Sequence, residues 1–197
     1  PLPGYAHLLD RRPVELLPTL CGGVDAGDPE PVAVRIEEVS SGSMTLALQE
    51  PGNQDGAHAV EDISYAVMEA GNWALGDGTR LQVGTVDTDQ LAQGNGNDFT
   101  DVSFGTDFDG TPVIVSQVQS KNGSDWVVTR QDGASASGFS LGMQEEEARN
   151  GGAHVEETLG WFAIDEGQGT WDGFEFEALS AENAADDTYD PLGFSQT

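Results

Sequence analysis

The sequence predicts an all-β protein made of two tandem antiparallel β-sandwich modules. Three observations lead to this fold class: short runs in which apolar and polar residues alternate, turn signals at regular short intervals, and a second half that repeats the first. Alternation with a period of two buries one face of a strand. Short strands separated by regular turns are typical of a sandwich.

The clearest predicted strands come in matching pairs. MTLALQE at 44–50 and FSLGMQE at 139–145 alternate between apolar and polar positions, as strands with one buried face do. The runs at 63–68 and 159–164 are apolar at nearly every position, which predicts strands covered on both faces. Helix is scarce, and its best candidate is a turn or two at 144–150.

An internal repeat organises the chain. The strand at 44–50 reappears at 139–145, and GAHAVEDISYAVMEAG at 56–71 reappears as GAHVEETLGWFAIDEG at 152–167. Further upstream, the run beginning at Pro13 matches the run beginning at Pro112. We therefore predict a first sandwich module over 1–95 and a second over 105–197 with an acidic tail. An acidic junction rich in Gly and Asn, 96–104, would join them.

Polar residues recur in the repeat as faithfully as apolar ones do. Matching positions are Arg35 with Arg130, Gln49 with Gln144, Glu50 with Glu145, His58 with His154, and Glu61 with Glu157. The Gln-Glu pair ends a core strand and the histidine lies in the loop before the next strand. We expect the carboxylate to meet the histidine there in a buried polar cluster that determines strand register.

Charge limits the possible partners. The chain has 35 Asp and Glu residues against 7 Lys and Arg residues, a formal net charge of −28. Phosphate binding needs clustered Lys and Arg, so we expect neither nucleic acid nor anionic lipid as a partner. No apolar run is long enough to predict membrane insertion. An acidic surface suits a salty medium, divalent cations or a soluble surface assembly, and composition alone leaves these open.

The second repeat resembles the H-type lectins and related modules beside calcium-binding repeats in secreted marine bacterial proteins. The likeness rests on Gly138-Phe139 in one strand and Trp161-Phe162-Ala163 in the terminal strand. It extends to both halves, with Met44 in place of the first aromatic residue. The resemblance implies a small antiparallel sandwich, assembly into oligomers, and binding of sugars such as N-acetylgalactosamine.

Two kinds of side chain are candidates for carbohydrate binding. Aromatic rings beside turns can stack on sugar rings, and the repeated histidine and glutamate can donate and accept hydrogen bonds. The candidates are Trp73, Trp126, His58, His154, Glu50 and Glu145. Each histidine has a structural alternative, in which it holds its loop by hydrogen bonds. Tyr65 and Trp161 occupy matching strand positions and are predicted core residues.

A calcium site is a second hypothesis. Aspartates crowd the junction and its flank, and hard carboxylate oxygens of this kind suit calcium. The predicted ligands are Asp98, Asp101, Asp107 and Asp109. They could equally close Asx-turns and cap strands. The single cysteine, Cys21, excludes an intrachain disulfide and any zinc site built from several cysteines.

These features predict a non-enzymatic extracellular or particle-surface protein that binds glycans by multivalent display, as a homo-oligomer or in assembly with other surface subunits. Nucleophile elbows, zinc-protease helices and phosphate-binding loops are missing from the sequence. One alternative is a structural subunit of a filament, surface layer or virion that binds no sugar. Another is an accessory domain of a polysaccharide-degrading enzyme. The amino terminus carries neither Met nor a signal sequence, so we expect processing or a longer polypeptide.

Overall fold

The structure is a computed structural model that describes residues 19–24, 32–40, 42–52, 60, 62–93, 96–146 and 152–180. These residues form strands, turns and loops without a helix, which confirms the all-β prediction. In the part of the chain so described, no helix has the length and apolar character to cross a membrane.

The strands are short and follow one another closely. In the described residues they are β1 Thr19–Val24, β2 Ala33–Val39, β3 Met44–Gln49, β4 Ile63–Val67, β5 Gly71–Ala74, β6 Arg80–Thr88, β7 Ala92–Gln93, β8 Gly96–Asn97, β9 Thr100–Ser103, β10 Val113–Val118, β11 Val127–Asp132, β12 Gly138–Glu145, β13 Glu157–Ile164, β14 Gly167–Trp171 and β15 Phe174–Ala178.

Two antiparallel sheets surround the main core. One has the strand order β10-β13-β6-β5 and the other β11-β12-β9, and four two-stranded ladders complete the described fold: β1-β4, β2-β3, β7-β8 and β14-β15. Side chains from both large sheets meet in one apolar cluster. Phe139 of β12 packs edge to face on Trp161 of β13, with ring centroids 5.7 Å apart. This contact joins the two sheets as a sandwich.

Strand β13 is buried on both faces, as the sequence predicts for 159–164. Trp161 and Leu159 point into the main core, while Phe162 on the opposite face packs with Leu81 and Val83 of β6. Burial of both faces explains why this strand is apolar at consecutive positions.

The repeat is visible in strand register. In β2-β3 Arg35 lies opposite Ala47, and in β11-β12 Arg130 lies opposite Gly142. Each residue of the second pair follows its counterpart in the first by the same number of positions along the chain. The β1-β4 and β10-β13 ladders also correspond, because Cys21 lies opposite Tyr65 as Ser116 lies opposite Trp161. The counterpart of β10 is therefore β1, and the match predicted from Pro13 is out of register.

The predicted division into two separate modules is not confirmed. Strand β6 from the first half pairs with β13 from the second along eight residue pairs, from Leu81 opposite Ile164 to Thr88 opposite Glu157. The predicted junction contains β9, which pairs with β12 and contributes Val102 to the main core. The Gly and Asn content of the junction suggests a linker, but its apolar residues Val102 and Phe104 stand at alternate positions, as in a strand with one buried face.

The matching apolar run at 63–68 does not form a strand covered on both faces. Strand β4 is largely exposed, and Tyr65, a predicted core residue, is 62% exposed where its counterpart Trp161 is 7% exposed. The difference follows from the neighbours. Strand β13 lies between β10 and β6, whereas the described neighbour of β4 is β1 alone.

The helix predicted at 144–150 does not form in its described part, residues 144–146. Gln144 and Glu145 end β12, where they lie opposite Val128 and Val127. Burial still alternates at these positions, since Gln144 is half-buried and Glu145 is buried, and strand pairing overrides the helix preference of the glutamate run. Residues 147–151, the acidic tail after 180 and His58 lie outside the described residues.

Candidate functional site

The two repeats meet at a buried ion pair. Arg35 lies on β2 of the first repeat, and Glu157 opens β13 of the second. Arg35 Nη2 lies 3.2 Å from Glu157 Oε1, and neither side chain is exposed. A buried charge is costly unless it is paired and fully hydrogen-bonded, so the surroundings of both groups decide whether the pair is stable.

Glu157 organises the loop at 120–125. Its carboxylate accepts hydrogen bonds from the Ser120 hydroxyl at 2.5 Å and from the backbone N–H groups of Asn122 and Gly123, each at 2.9 Å. Burial raises the pKa of Glu157, but these hydrogen bonds and Arg35 outweigh it and hold the pKa below its ordinary value. The carboxylate is therefore ionised at neutral pH.

The first repeat supplies the other supports of this loop. Arg35 donates hydrogen bonds to the carbonyl oxygens of Ser120 at 2.9 Å and Asp125 at 3.4 Å. Gln49 donates from its side chain to the carbonyl oxygen of Ser124 at 2.8 Å and accepts from Arg35 at 3.0 Å. Burial lowers the pKa of Arg35 and Glu157 opposes that shift. The guanidinium stays charged because its ordinary pKa is so high.

The loop brings Asp125 to the buried His-Glu cluster that the sequence predicts. One ligand atom each from Asp125, Glu145 and His154 lies within 4.8 Å of the other two. Glu145 ends β12 and His154 precedes β13, and both are buried, whereas Asp125 is exposed. Asp125 is not among the residues predicted from sequence, because in NGSD at 122–125 it reads as a turn residue.

The His154 ring has one engaged nitrogen and one without a partner. Nδ1 lies 2.7 Å from the carbonyl oxygen of Val155, so it carries the proton in the neutral ring. Nε2 is buried and has no hydrogen-bond partner. Gly123 packs against this edge of the ring: a Cβ added there would lie 2.8 Å from Cε1 and 3.0 Å from Nε2. A side chain at 123 would displace the imidazole.

The remaining carbohydrate candidates occupy more enclosed positions than predicted. Trp73 is half-buried, packs beside Leu81 and Val83, and donates from Nε1 to the carbonyl oxygen of Glu69 at 3.1 Å. Trp126 is half-buried, with a buried Nε1. Glu50 is buried just after β3. Sequence reasoning missed the large side chains that are exposed on β4 and on the β14-β15 hairpin: Tyr65, Val67, Trp171 and Phe174.

Two of the predicted calcium ligands have carboxylates that contact different side chains. Asp101 accepts a hydrogen bond from the Ser140 hydroxyl at 2.8 Å, and Asp109 pairs with Arg80 at 3.0 Å. Asp98 and Asp107 are exposed. Within the described ranges, the one group of three acidic or histidine residues close enough to hold an ion is the cluster around His154. Calcium binding at the four aspartates stays a prediction.

Comparison with known proteins relates the chain to part of a longer protein. The chain is 30% identical over 166 residues to Halomucin from Haloquadratum walsbyi, which covers 83% of this chain and 2% of Halomucin. The chain thus resembles a small part of a much longer protein. No family model matches the sequence, and no solved structure matches it.

Proposed function

We propose that the chain is a non-enzymatic structural segment of an extracellular surface polypeptide, in which successive repeats join head to tail by strand pairing. The observation that carries the proposal is the pairing of β6 from the first repeat with β13 of the second. Main-chain hydrogen bonds across that ladder join the repeats. The Arg35–Glu157 ion pair likewise joins the first repeat to β13 of the second.

Strands β4 and β15 each offer one half of the same contact. In repeat alignment β15 is the counterpart of β6, and β4 is the counterpart of β13. Among the described strands, β15 pairs with β14 and β4 pairs with β1, so one edge of each remains open. An open edge presents a row of N–H and C=O groups to a further strand. The β15 edge of one copy therefore fits the β4 edge of the next.

The repeat predicts the register of this pairing. Ala163 lies opposite Gln82 in the β13-β6 ladder. Transferred to β4 and β15, the same register places Val67 opposite Glu177 of the preceding copy and Tyr65 opposite Leu179 of that copy. Such a contact is heterologous, and it generates an open array when the rotation between successive copies does not close a ring.

Exposed apolar side chains concentrate where this contact would form. Tyr65 and Val67 on β4 and Phe174 and Leu179 around β15 are all more than 40% exposed. The counterparts of the first two, Trp161 and Ala163, lie on β13, which pairs with β6, and both are buried in the main core. The same docking would cover these apolar groups, which supports a partner shaped like the chain's own repeats.

Charge and similarity support the surface location. A net charge of −28 keeps an extended array soluble and suits a medium of high ionic strength. The match to 2% of Halomucin is consistent with a segment of a long polypeptide. Within such a polypeptide, covalent linkage raises the effective concentration of neighbouring repeats, so each contact can be weak by itself.

Disulfide trapping tests the proposed register. With Cys21 changed to Ser, the double variant Val67→Cys/Glu177→Cys should form a ladder of disulfide-linked multimers under mild oxidation at high salt. The matched control is Val67→Cys/Gln168→Cys, whose second cysteine is one strand further from the open edge. Equal cross-linking of both variants, or monomers from both, would contradict head-to-tail pairing.

Carbohydrate binding is the rival function. A sugar-binding module should give defined hits on a glycan array that persist at high salt. The structural role predicts a silent array from a chain that still forms disulfide-linked multimers.

A further inference from the structure

We infer that Asp125, Glu145 and His154 form a binding site for one divalent transition-metal ion such as Zn²⁺. The site lies within the second repeat, and it does not depend on strand pairing between copies. It would join three segments, the loop at 120–125, the end of β12 and the approach to β13.

The state of His154 is the first argument. A histidine that binds a metal usually donates its other ring N–H to a carbonyl or carboxylate, which determines the tautomer and aims the free lone pair. His154 Nδ1 makes such a bond to the carbonyl oxygen of Val155 at 2.7 Å. Its Nε2 lone pair is buried without a partner, and an unpartnered buried polar atom is costly. A bound cation would supply that partner.

The donor set is the second argument. One imidazole nitrogen and two carboxylates suit Zn²⁺, whereas Ca²⁺ is bound by oxygens alone. Tetrahedral coordination at these bond lengths separates ligand atoms by about 3.4 Å. The three ligand atoms lie within 4.8 Å of one another, so each separation would have to shorten by at most about 1.4 Å. Asp125 is exposed, which gives its carboxylate room for this movement. Three protein ligands leave a fourth position for water or an external group.

The surrounding structure holds these ligands in place. Glu157 accepts from the N–H of Gly123, Arg35 donates to the carbonyl oxygen of Asp125, and Gln49 donates to that of Ser124. The loop that carries Asp125 is thus anchored by both repeats. Gly123 has no side chain, which leaves the edge of the His154 ring clear. Such supports around the ligands are typical of metal sites.

Titration of Zn²⁺ into the whole chain tests the inference. Work in about 1 M NaCl suppresses diffuse binding to the acidic surface. We expect one equivalent of Zn²⁺ to bind and the imidazole ¹⁵N resonances of one histidine to shift, with Nε2 as the coordinated nitrogen. Ca²⁺ at equal concentration should leave these resonances unchanged.

Two variants assign the site. Asp125→Asn should weaken Zn²⁺ binding by at least about tenfold, and Glu145→Gln should weaken it similarly. Asp132→Asn removes another exposed carboxylate, at the end of β11, and should have no effect. Tryptophan fluorescence and melting without metal show whether each variant is folded.

Three results would overturn the site. Equal Zn²⁺ affinity in the Asp125→Asn and Asp132→Asn variants would place the metal elsewhere on the acidic surface. Zn²⁺ binding without a shift of a histidine resonance would exclude His154 as a ligand. Equal competition by Ca²⁺ would point to an oxygen-only site.

Discussion

Arg35 and Glu157 form an ion pair, 3.2 Å from Nη2 to Oε1, in which neither side chain reaches solvent although the two residues lie in different repeats. The pair does more than join β2 to β13. Ser120, Asn122 and Gly123 all donate hydrogen bonds to Glu157, so the same carboxylate shapes the loop that carries Asp125. A contact between repeats thereby positions the candidate ligands within one of them.

Loss of the Glu157 charge should destabilise the fold strongly. Glu157→Gln leaves Arg35 buried without its counter-ion, and breaking a buried pair in this way costs about 3–5 kcal/mol. Urea unfolding measures the difference in free energy of unfolding. Glu156→Gln is the matched control, because Glu156 is exposed and adjacent. A change of similar size in both variants would contradict the role assigned to the pair.

Acid should weaken the native state through the same carboxylate. The pKa of Glu157 lies below its ordinary value of 4.5 in the folded chain, so its contribution is complete above pH 4.5 and is lost as the pH falls through the lower, folded value. Asp77, whose hydrogen bonds from Thr170 and Thr79 lower its pKa to about 2, acts in the same direction from pH 3.8 downward. The melting temperature should therefore fall below pH 4.5.

The Glu157→Gln variant checks the assignment of this pH dependence. It lacks the titrating carboxyl group, so its melting temperature should change less between pH 4.5 and 3 than that of the unmodified chain. Parallel curves for the two proteins would assign the acid sensitivity to other carboxylates.

Gly123→Ala should displace the imidazole of His154. The added Cβ would lie 2.8 Å from Cε1, closer than real Cβ atoms approach other atoms, so the ring or the loop must shift. We expect a lower melting temperature and weaker Zn²⁺ binding. Gly110→Ala is the matched control, because a Cβ there meets nothing within 4 Å. Equal effects of the two substitutions would show that the packing against His154 is unimportant.

Salt should stabilise the chain. A formal charge of −28 repels itself in the compact state, and added salt screens that repulsion. The urea concentration at the unfolding midpoint should rise steadily from low to molar NaCl. This rise should exceed the one that sucrose causes, because sucrose stabilises proteins without screening charge. A urea midpoint that does not change with NaCl concentration would show that the acidic composition does not make the stability of the fold depend on salt.

From the sequence alone, several strands, the repeat and part of the cluster could be predicted. Period-two alternation identified β3 and β12, and matching residues at a constant offset related β2-β3 to β11-β12. The recurrence of Glu and His at matching positions predicted that Glu145 and His154 would meet. These inferences succeeded because they rest on local patterning, which the burial of one strand face imposes directly.

The way in which the repeats are joined depends on contacts between residues far apart in the sequence. Nothing local in β6 indicates that its partner is β13 of the other repeat, because the edge of a strand is defined by hydrogen bonds to distant residues. Strands β4 and β13 have similar sequences, yet they differ in burial because their neighbouring strands differ. Asp125 joined His154 through a loop held by Arg35 and Glu157, a long-range arrangement that no spacing along the chain encodes.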